Sequence, residues 1–309
     1  MTRKAQQQAV IASASTVATP ARTTEWLQCL LGSPVTSARP VLNSGYTPVS
    51  RRLITLADGR TAFVKQAVDE ATADALRLEQ WAYAHLCGPW LPKLLGWRDD
   101  ERPVLVLEDL SGCVWPPPWT AGRVRAVRAA LTDIAAHSAP TGLRRAVDSD
   151  YGDYGWPEVA RDPAPLLSLG LCSERWLNDA LEPLLEAADP QLLDGNSLCH
   201  LDVRSDNLCL RDGQAVLIDW NLAAVGNPQF DLAFWLPSLR AEGGPLPEAV
   251  ATIPQGVVAL VAGFFASHAG WPDVPHAPEA RRIQRVQLVV ALPWAARALG
   301  LPAPDLQGL

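Results

Sequence analysis

HLDVRSDNLCL, residues His200 to Leu210, and VLIDWNLAAVGNPQFDLAFW, residues Val216 to Trp235, hold the densest chemistry in the chain. Two short apolar runs, Leu198 to Leu201 and Val216 to Ile218, read as strands. Asp202 and Asn207 lie just after the first strand, and Asp219 ends the second. An acid, an amide and a second acid can thereby converge on one cleft. The first carboxylate can accept a hydrogen bond from an attacking hydroxyl, while the amide and the second carboxylate hold hard cations through oxygen. Such a set suits Mg²⁺-assisted phosphoryl transfer.

Upstream, the pattern is strand-rich from Val41 to Leu110. Val49 to Leu56 and Thr61 to Gln66 flank Ala57-Asp58-Gly59-Arg60, and Asp-Gly between two β-prone runs predicts a hairpin because glycine accepts positive φ. Asp69 to Cys87 reads as a helix stopped by Gly88-Pro89. Leu91 to Trp97 and Pro103 to Leu110 resume as strands, and Ser111-Gly112 then forms a hinge. Beyond it the chain turns mainly helical, over Arg123 to His137, Glu174 to Ala188, Glu248 to His268 and Pro278 to Leu299. Thr23 to Leu31 predicts a further short helix. Residues 148–165 are turn-rich, acidic and aromatic, which predicts a linker or a loop covering a site.

The 309 residues exceed one small domain and suit two lobes. With 26 basic against 33 acidic residues the net charge is −7, so the broad positive field that nucleic acid requires is missing. The six cysteines, Cys29, Cys87, Cys113, Cys172, Cys199 and Cys209, stand alone in sequence, which predicts a reducing, cytoplasmic setting and no zinc framework. Gly256 to Ala266, the longest apolar run, is about half of the roughly 20 residues of a membrane span. Residues 1–22 read as an N-terminal tail rather than a leader, because Ser13, Ser15 and Thr16 break the apolar stretch too early.

On these residues the chain resembles the aminoglycoside phosphotransferase family of the protein-kinase-like superfamily. HLDVRSDN resembles the catalytic loop H-x-D-x-x-x-x-N, and Ile218-Asp219-Trp220 resembles the metal-binding Asp-Phe-Gly segment. Asn227-Pro228 and Asp231-Leu232-Ala233 favour the small-molecule kinases, and an Ala-Pro-Glu segment is absent. Ala62-Phe63-Val64-Lys65 resembles the strand whose lysine contacts the α- and β-phosphates, and Glu79, ahead of Glu70, is its expected helix partner. Asn43 to Pro48 stands where a phosphate-covering loop belongs, with Ser44 and Gly45 as contacts. Leu105 to Leu110 resembles the interlobe strand whose backbone meets adenine, with Glu108 to Leu110 as contributors.

The resemblance implies an α+β, bilobal, protein-kinase-like fold: an N-lobe over 23–110 that binds nucleotide and a C-lobe over 111–309 that carries the catalytic loop and the acceptor pocket. It implies ATP and Mg²⁺ held between the lobes, Asp202 as base, Asn207 and Asp219 on the metal, and Arg204 in support near the γ-phosphate. His200 and Asp231 are expected to brace the loop. The chain departs from the family pattern in two places, Leu201 in place of glycine and Trp220-Asn221 in place of Phe-Gly.

The leading expectation is an ATP-dependent O-phosphotransferase acting on a hydroxylated small molecule, an antibiotic of the aminoglycoside, basic peptide or nucleoside type, as a resistance enzyme. No nucleic-acid or membrane partner is expected, and the chain acts as a monomer or homodimer. A metabolic kinase for choline, homoserine or a sugar is the alternative. A metal-dependent hydrolase built on His200, Asp202, Asp206 and Asp219 lacks a second nearby histidine. A scaffold pseudokinase predicts loss of Lys65, Asp202, Asn207 or Asp219, and all four are present. Taken singly such acids are commonly caps or ion-pair partners; the family order of the set decides otherwise. Asp148, Asp150, Asp153 and Glu158 read as a solvated face, and Trp115, Trp119 and Trp156 as aromatics that seal loops onto a core.

Overall fold

The structure is a computed structural model and describes residues 21–41, 48–274, 277 and 279–305. The expected tail lies almost wholly outside these residues, as do Ser44 and Gly45. Within them the chain forms two compact units. Residues up to Ala84 together with Pro92–Gly112 make the first, and His85–Leu91 together with the chain from Cys113 onward make the second.

In the first unit, helix α1 (Ala21–Leu31) precedes strands β1 (Val35–Pro40), β2 (Ser50–Leu56) and β3 (Thr61–Gln66). Helix α2 (Glu70–His85) and strands β4 (Leu94–Arg98) and β5 (Val104–Glu108) follow. The strands form one antiparallel sheet in the order β1-β2-β3-β5-β4. The hairpin forms as predicted: Gly59 takes φ +86° and the Asp58 side chain accepts the Arg60 N–H at 3.0 Å. Alternation along β3 puts Ala62 and Val64 in a core with Leu27, Ile54, Leu56, Val104 and Val106, and puts Lys65 on the other face, where it meets α2. Asp69 caps α2 by accepting the Thr72 N–H at 2.8 Å.

Two expectations here need correction. The sheet gains an edge strand, β1, before Val41, because VTSARP is too polar to stand out as a strand yet pairs along β2. Leu91 is not in a strand: β4 starts at Leu94, and Leu91 is packed with the second unit.

The second unit holds helices α3 (Ala121–Ala136), α4 (Glu174–Ala187), α5 (Gln229–Ala241), α6 (Gln255–Ala269) and α7 (Glu279–Ala298). Two small antiparallel pairs carry the loops of interest, β6 (Ser197–Cys199) with β9 (Ala224–Gly226) and β7 (Leu208–Arg211) with β8 (Gln214–Leu217). The β7–β8 reversal is a two-residue turn in which Asp212 and Gly213 both take positive φ, 52° and 81°, the pattern that matches strand twist. Apolar on nearly every side, α6 is the buried axis against which α7, α4 and α5 pack.

Three further expectations change. Glu248 to His268 is not one helix: Pro247–Val250 forms a short turn, Ala251 is extended, and α6 begins only after Pro254, which cannot donate to a preceding turn. Helix α5 was not foreseen, since QFDLAFWLPSLRA is apolar all round, has no one-sided stripe and contains Pro237. Residues 148–165 are not a linker. They fold into helical turns pinned by Trp156, which is fully buried and donates from Nε1 to the Ala259 carbonyl at 2.8 Å. All six cysteines are free thiols, and no described helix is long and apolar enough to cross a membrane.

The end of α6 meets the turn at Pro165 so closely that a Cβ on Gly270 would lie 2.0 Å from the Pro165 carbonyl oxygen. Gly270→Ala must therefore displace backbone. It should cost about 1–3 kcal/mol, read as a lower urea midpoint at unchanged slope; an unchanged midpoint would show that this contact yields freely.

Candidate active site

The loop after β6 is built around one carboxylate. Asp231, buried near the start of α5, accepts the His200 N–H on Oδ2 at 2.8 Å and the Leu201 N–H on Oδ1 at 2.6 Å. Burial pushes its pKa up to about 6, and the two amide donors oppose that rise. The next peptide is held through the imidazole. The Asp202 N–H can only donate, so His200 Nδ1 accepts it at 3.2 Å, and Nε2 carries the proton and donates to the Ile218 carbonyl at 2.9 Å. Burial lowers the His200 pKa to about 4, which keeps this neutral tautomer at pH 7. Both ring nitrogens are thus engaged, and the ring is not offered to a metal. Trp220 stands edge-on to that ring at 4.6 Å and against Trp90 at 5.0 Å, which accounts for a large aromatic following Asp219.

Asp202, at the exit of this loop, is half-buried. Burial raises its pKa to about 6, Arg204 acts to lower it, and Asp206 and Asp219 act to raise it. Arg204 lies between two carboxylates, 3.2 Å from Asp202 and 3.1 Å from Asp206. Asn207, fully buried on a 3₁₀ turn, donates from Nδ2 to the Asp202 carboxylate at 2.8 Å and to the Asp202 carbonyl at 3.0 Å. Its backbone oxygen receives the Ile218 N–H at 2.9 Å, which ties the loop to the segment bearing Asp219. With Nδ2 committed to Asp202, Oδ1 is the Asn207 atom suited to a cation. Asp219 itself takes φ +66°, a left-handed turn that aspartate tolerates better than most residues. Asp202, Arg204, Asn207, Asp219, His200 and Asp231 are therefore brought together.

In the first unit, Lys65 Nζ lies 2.8 Å from both oxygens of Glu79, and both side chains are 3% exposed. Tyr83 donates to the same carboxylate at 3.0 Å. The expected partner is thus found, and Glu70 lies exposed at the helix start. Glu108 ends β5; its N–H donates to the Lys93 carbonyl at 3.0 Å and its Oε1 accepts the Lys93 N–H at 2.9 Å. That amide is spent within its own sheet. Leu110 is buried just beyond.

Two groups beside the loop carried no signal in the sequence. Glu242 accepts Ser205 Oγ at 2.5 Å and Trp119 Nε1 at 2.8 Å, and Tyr151 donates to the Leu201 carbonyl at 2.6 Å. Partners 37 to 123 positions apart leave no spacing to read. Among the described residues no three His, Cys, Asp or Glu side chains converge as a metal cage. An amide with one carboxylate fits Mg²⁺, which keeps several waters and phosphate oxygens.

Residues 40–256 match the model of the phosphotransferase enzyme family, APH. No curated protein sequence matches the chain. Among solved structures, an aminoglycoside phosphotransferase from Alicyclobacillus acidocaldarius superposes with a TM-score of 0.55 at 15% identity, over 94% of this chain and 97% of that one. A spectinomycin phosphotransferase in complex with ADP and spectinomycin gives 0.51 at 12%, over 92% and 89%. An ethanolamine kinase from Plasmodium vivax gives 0.50 at 10%, over 98% and 95%. These likenesses fix the fold as the α+β protein-kinase-like one. Since the family match spans well over half of the sequence and contains Lys65, Asp202, Asn207 and Asp219, the chain belongs to the phosphotransferase enzyme family.

Proposed function

We propose that the chain transfers the γ-phosphoryl group of ATP to a hydroxyl of a small-molecule antibiotic, and so acts in the cytoplasm as a resistance enzyme. The observation that carries this reading is the bond from Asn207 Nδ2 to Asp202, which makes the base and the metal-binding amide one preorganised unit. Lys65, held by Glu79, is the cation for the α- and β-phosphates. The backbone at Leu110 and the Glu108 carbonyl meet the adenine, with Ser44 and Gly45 over the phosphates. Residues 23–110 bind the nucleotide, and residues 111–309 carry the catalytic loop and the acceptor pocket.

In the reaction the acceptor hydroxyl hydrogen-bonds to the Asp202 carboxylate. Its oxygen forms a bond to the γ-phosphorus, the bond from that phosphorus to the bridging oxygen of ADP breaks, and the hydroxyl proton passes to Asp202. A carboxyl raised to about 6 is a better proton acceptor than an ordinary aspartate and still ionised at pH 7. Asn207 and Asp219 are the residues that would hold Mg²⁺, which when bound would neutralise phosphate charge. Arg204 offsets the repulsion between Asp202 and Asp206 and supplies positive charge near the γ-phosphate.

The net charge of −7 is compatible with a cationic acceptor such as an aminoglycoside or a basic peptide antibiotic, and equally with ordinary solubility; a nucleoside antibiotic is the further class. A metabolic alcohol of the choline, homoserine or sugar type is the second reading, kept because the P. vivax ethanolamine kinase has the same fold.

Acceptor-dependent ADP release, measured across hydroxylated antibiotics and small alcohols, tests the reading. Asp202→Asn should reduce kcat by at least about 10³-fold, and chelation by EDTA should stop turnover until Mg²⁺ is restored. Protection of a host by the chain against one antibiotic class selects the resistance reading; turnover of a metabolic alcohol alone sinks it. In the first unit, Glu79→Gln removes the charge that orients Lys65 and should raise KM for ATP about tenfold, roughly the effect of losing 1.4 kcal/mol, while keeping a group for Tyr83.

A further inference from the structure

Leu201 occupies a left-handed backbone conformation, φ +62°, where the family resemblance places glycine. For a residue with a Cβ that conformation costs about 1–2 kcal/mol, and it persists only where the surroundings over-determine it. Its side chain is 1% exposed, so the residue cannot relax by turning outward. The two polar groups of its backbone are each captured by a side chain: Asp231 takes the N–H and Tyr151 donates to the C=O.

Tyr151 is itself firmly placed. Its ring lies 4.6 Å from Phe234 and 4.8 Å from Phe264, on α5 and α6. The turn that bears it is closed by Ser149 Oγ on the Ala146 carbonyl at 2.5 Å and by the Gly152 N–H on Ser149 at 2.9 Å. Burial pushes the phenol pKa upward, so the hydroxyl stays a donor. The peptide joining Leu201 to Asp202 is consequently clamped on both edges, its oxygen by Tyr151 and its N–H by His200 Nδ1.

Resting on the phosphotransfer reading, we infer that Tyr151 is a positioning residue: by holding the Leu201 carbonyl it keeps a strained residue left-handed and so aims Asp202 at the acceptor hydroxyl. It acts through the Leu201–Asp202 peptide. Its contribution appears in turnover rather than in nucleotide binding. It also gives residues 148–165 a task that neither a linker nor a solvated acidic face would have.

The test compares wild type, Tyr151→Phe, Leu201→Gly and the double variant, all as full chains. The phenylalanine ring preserves the packing on Phe234 and Phe264 while removing the donor. The expected result is a kcat about tenfold lower in Tyr151→Phe, the worth of one hydrogen bond, with KM for MgATP within about twofold. Hydrogen exchange at the amides of His200 to Asp202 should be faster in the same variant. In the Leu201→Gly background the left-handed state carries no Cβ penalty, so the same replacement should cost less than about threefold. Unchanged kcat and exchange in Tyr151→Phe would overturn the proposal, as would an equal loss in both backgrounds. A wild type that releases no ADP with any acceptor overturns the phosphotransfer reading instead, while the exchange comparison still decides whether Tyr151 holds Leu201.

Discussion

Asp231 accepts hydrogen bonds from two successive amides, and the loop that carries the candidate base is organised around it. Hydrogen bonds to a charged group contribute about 1.5–3 kcal/mol each, yet the larger effect is geometric. Two N–H groups converging on one carboxylate force a bend at His200 and Leu201, and that bend turns Asp202 away from the strand. His200 extends the same constraint with a tautomer fixed by partners of opposite polarity, an amide at Nδ1 and a carbonyl at Nε2. The carbonyl belongs to Ile218, one residue before Asp219. A single buried carboxylate thus sets the backbone before Asp202 directly and the segment before Asp219 through one imidazole.

The two departures from the family pattern follow from this arrangement. Leu201 keeps the left-handed backbone although it has a Cβ, because both of its backbone groups are held. Trp220 is fully buried, donates to the Leu217 carbonyl at 2.9 Å and packs on His200 and Trp90.

The Lys65 and Glu79 pair shows a different balance. Two charges buried at 3% exposure carry a desolvation cost of several kcal/mol per ion, which their attraction and the Tyr83 hydrogen bond offset. Hydrophobic residues of equal volume would serve stability as well. What the pair secures is placement: the ammonium is held at 2.8 Å from both Glu79 oxygens and has one position on the sheet face.

Local chemistry was legible in the sequence wherever it acts through short spacing. The Asp-Gly hairpin, the helix that Gly88-Pro89 stops, and the five-residue step from Asp202 to Asn207 all depend on neighbours along the chain, so residue identity alone settles them. Tertiary structure decided what depends on partners far away in sequence or on burial from every side. Helix α5 has no amphipathic stripe because both of its faces are covered. The polar edge strand β1 is a strand only because β2 offers it hydrogen bonds. Residues 148–165 became an anchored turn because Trp156 finds a place on α6. Tyr151 and Glu242 reach the loop after β6 across 50 and 37 positions. A hydrogen bond between such residues has no period and no propensity to betray it, since only the folded chain brings its two ends within 3 Å of each other.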